Sequence, residues 1–288
     1  DVEAWSGKDR FDENFPVGVL VAPRLRPHVH AFYAFARNAD DIADSPHLPA
    51  ADKLARLDAM EAVLLGAAPA GVAPSAARLR ASLAETGVAA RHAQDLLVAF
   101  RQDATQHRYE SWADLHRYCS FSAMPVGRHV LDLHDEDRRA WPASDALCTV
   151  LQVLNHLQDA GRDLAALDRC YLPADLLARH GARVEDLRGK AETPGLRAVF
   201  AALLDECDAL LAGSRLPERV RDRRLRVETA VIDGLARRLA RRLRRGDPLA
   251  RRVRLTKPDV LAAGVAALRF LPGGRPRAAR GPLPGGRQ

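Results

Sequence analysis

The sequence predicts an all-α protein. Apolar residues recur at three- and four-residue spacing through nearly every long segment, and alanine, leucine and arginine, all good helix formers, dominate those segments. No stretch of useful length alternates as a half-buried strand would, and no repeat occurs at solenoid periods. In chain order, helices are expected over 25–44, 50–66, 75–86, 89–108, 111–134, 143–166, 193–213 and 218–245. Breakers fall between them: GAAPAGVAPS at 66–75, AWPAS at 140–144 and AETPG at 191–195. One all-α domain over 1–271 is the natural reading. Beyond Leu271, PGGRPRAARGPLPGGRQ has too little apolar content to pack, so 272–288 is expected to be a disordered basic tail.

With 288 residues, the chain can form a substantial core. Its formal net charge of +7 suits a negatively charged partner: nucleic acid, an anionic membrane surface or a phosphorylated substrate. Cys119, Cys148, Cys170 and Cys207 are scattered, with no CxxC pair. That argues against a zinc site or disulfide framework and fits a reducing, cytoplasmic setting. No apolar run is long enough to span a bilayer, and the opening DVEAWSGKDRFDENFPVG has no apolar signal core.

Chemistry concentrates in two helices. A helix advances about 100° per residue, so Tyr33, Arg37, Asp40 and Asp44 form one stripe, with Asp41 at its edge. Like charges at i,i+4 repel on a helix, and a divalent cation between the carboxylates would reverse that sign. A second copy lies in LNHLQDAGRDLAALDRCYLP, residues 154–173. Asp159 and Asp163 are again at i,i+4, with Asn155 and Arg162 near the same face and Gln158 flanking it. Oxygen ligands at this spacing suit Mg²⁺, which bridges carboxylates to a substrate phosphate, and arginines add charge-assisted contacts. The competing reading is two solvated faces. Periodicity does not choose between them.

YAFARNADDIAD and NHLQDAGRDLAALDRCYLP together resemble the two aspartate-rich motifs of the squalene/phytoene synthase family. RYESWADLHRYCSFSAMPVG, residues 108–127, is similar to the segment that lies between those motifs in the family, and the resemblance runs from about Glu13 to Leu255. It implies an isoprenoid synthase fold with helices around a central cavity. ENFPVG at 13–18, SAMPVG at 122–127 and GDPLARRVRLTKPD at 246–259 further resemble the HpnC-type branch of bacterial hopanoid pathways, although Met124 stands where asparagine is expected. That branch converts presqualene diphosphate into hydroxysqualene.

By this resemblance, Asp40, Asp44, Asp159 and Asp163 hold two or three Mg²⁺ ions, and Tyr33, Arg37 and Arg162 hold the departing diphosphate. Asn155, Gln158 and Asp41 assist substrate binding, and Glu13 and Asn14 are candidates for supporting or lid contacts. No NADPH is expected, because water rather than hydride quenches the cation. Implied partners are a presqualene diphosphate synthase and a squalene-forming oxidoreductase. The main alternative is a head-to-head synthase acting on farnesyl or geranylgeranyl diphosphate. A non-catalytic scaffold on the same fold would have lost the carboxylates.

Phe32, Phe35 and Phe121 read either as core or as the lining of a hydrocarbon tunnel. The histidines, including His28, His30 and His156, form no HExxH-like pair and read as surface or packing residues. The arginine-rich segment 237–254 has three readings: a solvated face, a patch against anionic lipid at the inner face of the cytoplasmic membrane, or a nucleic-acid contact. No recognition motif or interleaved aromatic residue supports the last.

Overall fold

The computed structural model describes residues 1–3 and 21–271. Both the ENFPVG segment with Glu13 and Asn14 and the 272–288 tail lie outside the described residues. Among the described residues there is no strand. The main helices are α1 (Arg26–Asp44), α2 (Ala50–Leu64), α3 (Pro74–Thr86), α4 (Arg91–Asp103), α5 (Trp112–Ser122) and α6 (Met124–Leu133). They continue with α7 (Trp141–Leu167), α8 (Ala174–Arg179), α9 (Pro194–Ser214), α10 (Leu216–Arg219), α11 (Arg223–Arg245) and α12 (Lys257–Ala267).

Local chemistry explains most boundaries. Proline opens α1, α3, α7 and α9, where its missing N–H costs nothing. Ser111, Thr193 and Asp222 cap α5, α9 and α11 by accepting hydrogen bonds from Asp114, Leu196 and Leu225 N–H groups. Gly87, with φ of 71°, ends α3 in the left-handed conformation that a residue without Cβ adopts freely.

Two departures from expectation have clear causes. The single helix expected over 111–134 is two, because Pro125 in the first turn of α6 cannot continue the hydrogen bonding of α5. α12 was not expected at all. Its KPDVLAAGVAA has no polar face, so the amphipathic period that reveals a surface helix is missing.

Among the described residues, apolar side chains collect in two clusters. The smaller is built mainly by α1 to α4 and includes Phe32, Phe35, Ile42, Leu57, Met60, Leu79 and Leu97. The larger runs through α5, α7, α9 and α11 and includes Tyr109, Leu154, Leu157, Phe200 and Leu239, with Phe121 packed against it. α1 packs on α2, α3 and α4, whereas α7 packs on α5, α6, α9 and α11. The two acidic helices thus belong to different clusters, and their charged faces lie at the seam between them.

Candidate active site

On α1, Phe35, Ala39 and Ile42 are fully buried in the smaller cluster, which fixes the helix's rotation. Tyr33, Arg37, Asp40 and Asp44 lie partly buried on the other side. Arg37 donates to Asp41 Oδ1 at 2.9 Å and lies 3.3 Å from Asp40 Oδ2. Asp41, expected at the edge of the stripe, is buried and takes the shorter of these two contacts. Burial, and after it the charge of Asp44, holds the Asp40 carboxyl well above the usual carboxylate range, against the pull of Arg37.

On α7, Leu154, Leu157 and Leu164 are buried in the larger cluster, leaving Asn155, Asp159 and Asp163 at the seam. Burial, then the charge of Asp159, pushes Asp163 up to about 7, and Asp44 of α1 adds to the rise. The two acidic motifs therefore act on one another across the seam. Arg162 is mostly exposed and forms an ion pair with Asp159, while Arg252 lies 3.8 Å from the same carboxylate. Gln158 is buried, and its amide donates to the Val253 carbonyl at 2.6 Å, bracing the 246–254 loop against α7. Gly161 makes that approach possible: a Cβ there would lie 2.9 Å from Leu249 Cδ2 and 3.0 Å from the Leu187 carbonyl.

A residue that the motif reading passed over ties the halves together. Arg169 is 5% exposed and donates to Asp44 Oδ1 at 2.5 Å, the Ala43 carbonyl at 3.1 Å and the Asp103 carbonyl at 2.9 Å. Burial works against its charge, but Asp103 and Asp44 outweigh that and hold the guanidinium protonated. Asp103 accepts from the Tyr118 hydroxyl at 2.9 Å and the Tyr171 hydroxyl at 3.3 Å, and burial lifts its carboxyl to about 7. Tyr109, Tyr118 and Tyr171 pack together, and His156 stacks on Tyr171 at 3.5 Å. Burial drives His156 down to about 3, so it is a neutral packing group. Phe32 stacks on His129 at 3.9 Å inside the smaller cluster. The signal for Arg169 was present in the motif LDRCYLP. Helical periodicity could not use it, because α7 ends at Leu167 and Asp168, with φ of 51°, turns the chain away before Arg169.

The donor set fits Mg²⁺ on chemical grounds. It is all oxygen, and burial together with the neighbouring charges of Asp44 and Asp159 raises the Asp40 and Asp163 carboxyls, a penalty that a bound cation removes. Among the described residues, no three His, Cys, Asp or Glu side chains close on one point. An ion here would therefore take one or two carboxylates and complete its shell with phosphate oxygens or water, as Mg²⁺ commonly does.

An all-α fold with two aspartate pairs and arginines at the seam between two apolar clusters makes a candidate site for the charged head of a largely apolar, phosphorylated ligand. The chain belongs to the squalene/phytoene synthase family, whose sequence profile matches residues 8–259. It is thus a member of an enzyme family of head-to-head isoprenoid synthesis. It is 46% identical over 268 residues to a hydroxysqualene synthase of Rhodopseudomonas palustris, covering 92% of this chain and 91% of that protein. A hydroxysqualene synthase of Zymomonas mobilis is 44% identical, over 91% of this chain and 89% of its own. Among solved structures, squalene synthase HpnC from Alicyclobacillus acidocaldarius aligns with a TM-score of 0.70 and 34% identity, covering 80% of this chain and 86% of that one. A dehydrosqualene synthase in complex with ligand aligns at 0.76 over 88% of this chain and 89% of its own, and at 22% identity it shows the fold alone.

Proposed function

We propose that the protein converts presqualene diphosphate, with water, into hydroxysqualene and inorganic diphosphate. The observation that carries this reading is the 44–46% identity to proteins named hydroxysqualene synthase over about nine-tenths of the chain. The paired carboxylates at the seam give it a chemical basis. Asp40, Asp44, Asp159 and Asp163 are the residues that would hold Mg²⁺, which when bound offsets the negative charge that builds on the departing diphosphate.

Arg37 is braced by Asp40 and Asp41, which orients its guanidinium for diphosphate oxygens, and Tyr33 sits one turn away on the same stripe. Arg162 reaches the same region from α7 through Asp159. The C–O bond to diphosphate breaks and leaves a cyclopropylcarbinyl cation. Water must stay away from that cation while it rearranges, because early capture would give a different alcohol. One water then adds its oxygen to the rearranged cation and gives up a proton. No electrons are exchanged, so the reaction consumes no NADPH. On this reading the substrate comes from an enzyme that makes presqualene diphosphate, and the product passes to an oxidoreductase that removes the hydroxyl. A substrate this insoluble also favours work at the inner face of the bacterial cytoplasmic membrane.

Incubating the protein with presqualene diphosphate and Mg²⁺, without NADPH, tests this directly. Hydroxysqualene is the expected product. Turnover of farnesyl diphosphate alone would replace the reading with the head-to-head synthase. That second reading draws support from 31% identity to a 15-cis-phytoene synthase of Paracoccus over 86% of this chain.

A further inference from the structure

α12 is unusual for a surface helix. From Val260 to its end at Ala267, and on through Leu268 just beyond, there is no charged residue, and the helix buries Ala263 and Ala267 against α11 through a close approach at Gly234. A helix that is apolar all round normally lies inside a protein. Here Leu261 is 70% exposed and Val265 59%, and Val260, Leu268 and Leu271 are also exposed. In helical projection Val260, Leu261, Val265 and Leu268 fall within about 140° of one another, so they form a ridge on one side.

The N-terminal end of this ridge adjoins a cleft of about 580 Å³ between the end of α11, the 246–254 loop and Asp259. Among the described residues, seven of the ten that line the cleft are arginines, and Asp259 is the single acid. Arg242 is paired with Asp259, but among the described residues Arg241, Arg245, Arg251 and Arg254 have no acidic partner.

We infer that the α12 ridge and the arginine cleft form a docking face for an anionic phospholipid bilayer, with the ridge in the acyl boundary and the cleft on lipid phosphates. Charge selects this occupant over two others. A second copy would bring two sets of unpaired arginines together around the ridge at a two-fold interface. The chain's own tail after Leu271 carries four arginines, no acid and only Leu283 as a large aliphatic side chain, so its charge repels the cleft and it offers little to cover the ridge. A bilayer supplies both complements at once. The inference rests on the proposed isoprenoid diphosphate substrate for its purpose, but its test does not depend on turnover.

The test is sedimentation of the full chain with phosphatidylglycerol/phosphatidylcholine vesicles and with pure phosphatidylcholine vesicles, at low and high salt. Binding to the anionic vesicles that falls with salt is expected. L261S/V265S and R241Q/R245Q should each weaken it by at least about tenfold. Because these side chains are exposed, both variants should keep the parent's circular dichroism and its turnover in detergent micelles. Failure of turnover with vesicle binding intact would count against the proposed reaction and leave the docking face standing. No binding to anionic vesicles, or binding untouched by either variant, would overturn the face. So would a dimer in light scattering that L261S/V265S dissolves, or salt-sensitive binding of duplex DNA in place of vesicles.

Discussion

Arg169 joins the end of α1, the end of α4 and the loop after α7 through one buried guanidinium. Removing one partner of a buried ion pair strands the other, so Arg169→Met should cost about 3–5 kcal/mol in urea unfolding. An unchanged midpoint would show that the guanidinium does not hold the seam. The double variant Asp40→Asn/Asp159→Asn should behave differently. It should keep its helicity and lose about a thousandfold or more of its activity; full activity in it would remove the metal-site assignment. Asp163 gives a pH prediction. Its folded value of about 7 lies above its ordinary value of 3.8, so its contribution to stability is fully present below about pH 4 and is lost as pH rises towards 7. Asp163→Asn should therefore gain about 2–3 kcal/mol on the parent between pH 5 and pH 8 without metal. Comparing variant with parent cancels the buried His129 and His156, whose depressed values titrate in the opposite sense. A constant difference across that range would contradict the assigned shift.

Among the elements, α1 and α7 were legible in the sequence because each has one apolar face and one chemical face. The period that marks them as helices also groups their carboxylates. Arg169 and Asp103 were not legible as site residues. Each sits at or just past a helix end, where periodicity stops and only the fold brings Tyr118, Tyr171 and Asp44 to them. α12 escaped for the opposite reason, an apolar character with no period to detect. The break between α5 and α6 shows what the SAMPVG turn does for the fold. Pro125 restarts the chain, and Gly127 lets α6 press on α7, where a Cβ would meet Ser144 Oγ at 2.2 Å and Cys148 Sγ at 2.7 Å. Gly127→Ala should cost about 1–3 kcal/mol by overpacking, with part recovered in a Ser144→Ala/Cys148→Ala background. Equal losses in both backgrounds would place the cost elsewhere.

For the molecule as a whole, two apolar clusters meet at a charged seam. A ligand that bridges the seam should stabilise both halves at once. Mg²⁺ and inorganic diphosphate together should raise the thermal midpoint by about 2–4 °C or more, and either alone by less. Equal effects from Mg²⁺ alone would argue against a shared site for ion and diphosphate. The two-part core also gives the cysteines an unforeseen use. All four are free; Cys119, Cys170 and Cys207 belong to the larger cluster, and burial pushes the Cys119 thiol up to about 12 and Cys148 up to about 11. Thiolates are the reactive form, so these side chains resist alkylation while the core is closed. The smaller cluster contains no cysteine. Pulsed alkylation read by mass spectrometry would time the opening of one half of the protein and stay silent on the other, with no label engineered into the chain.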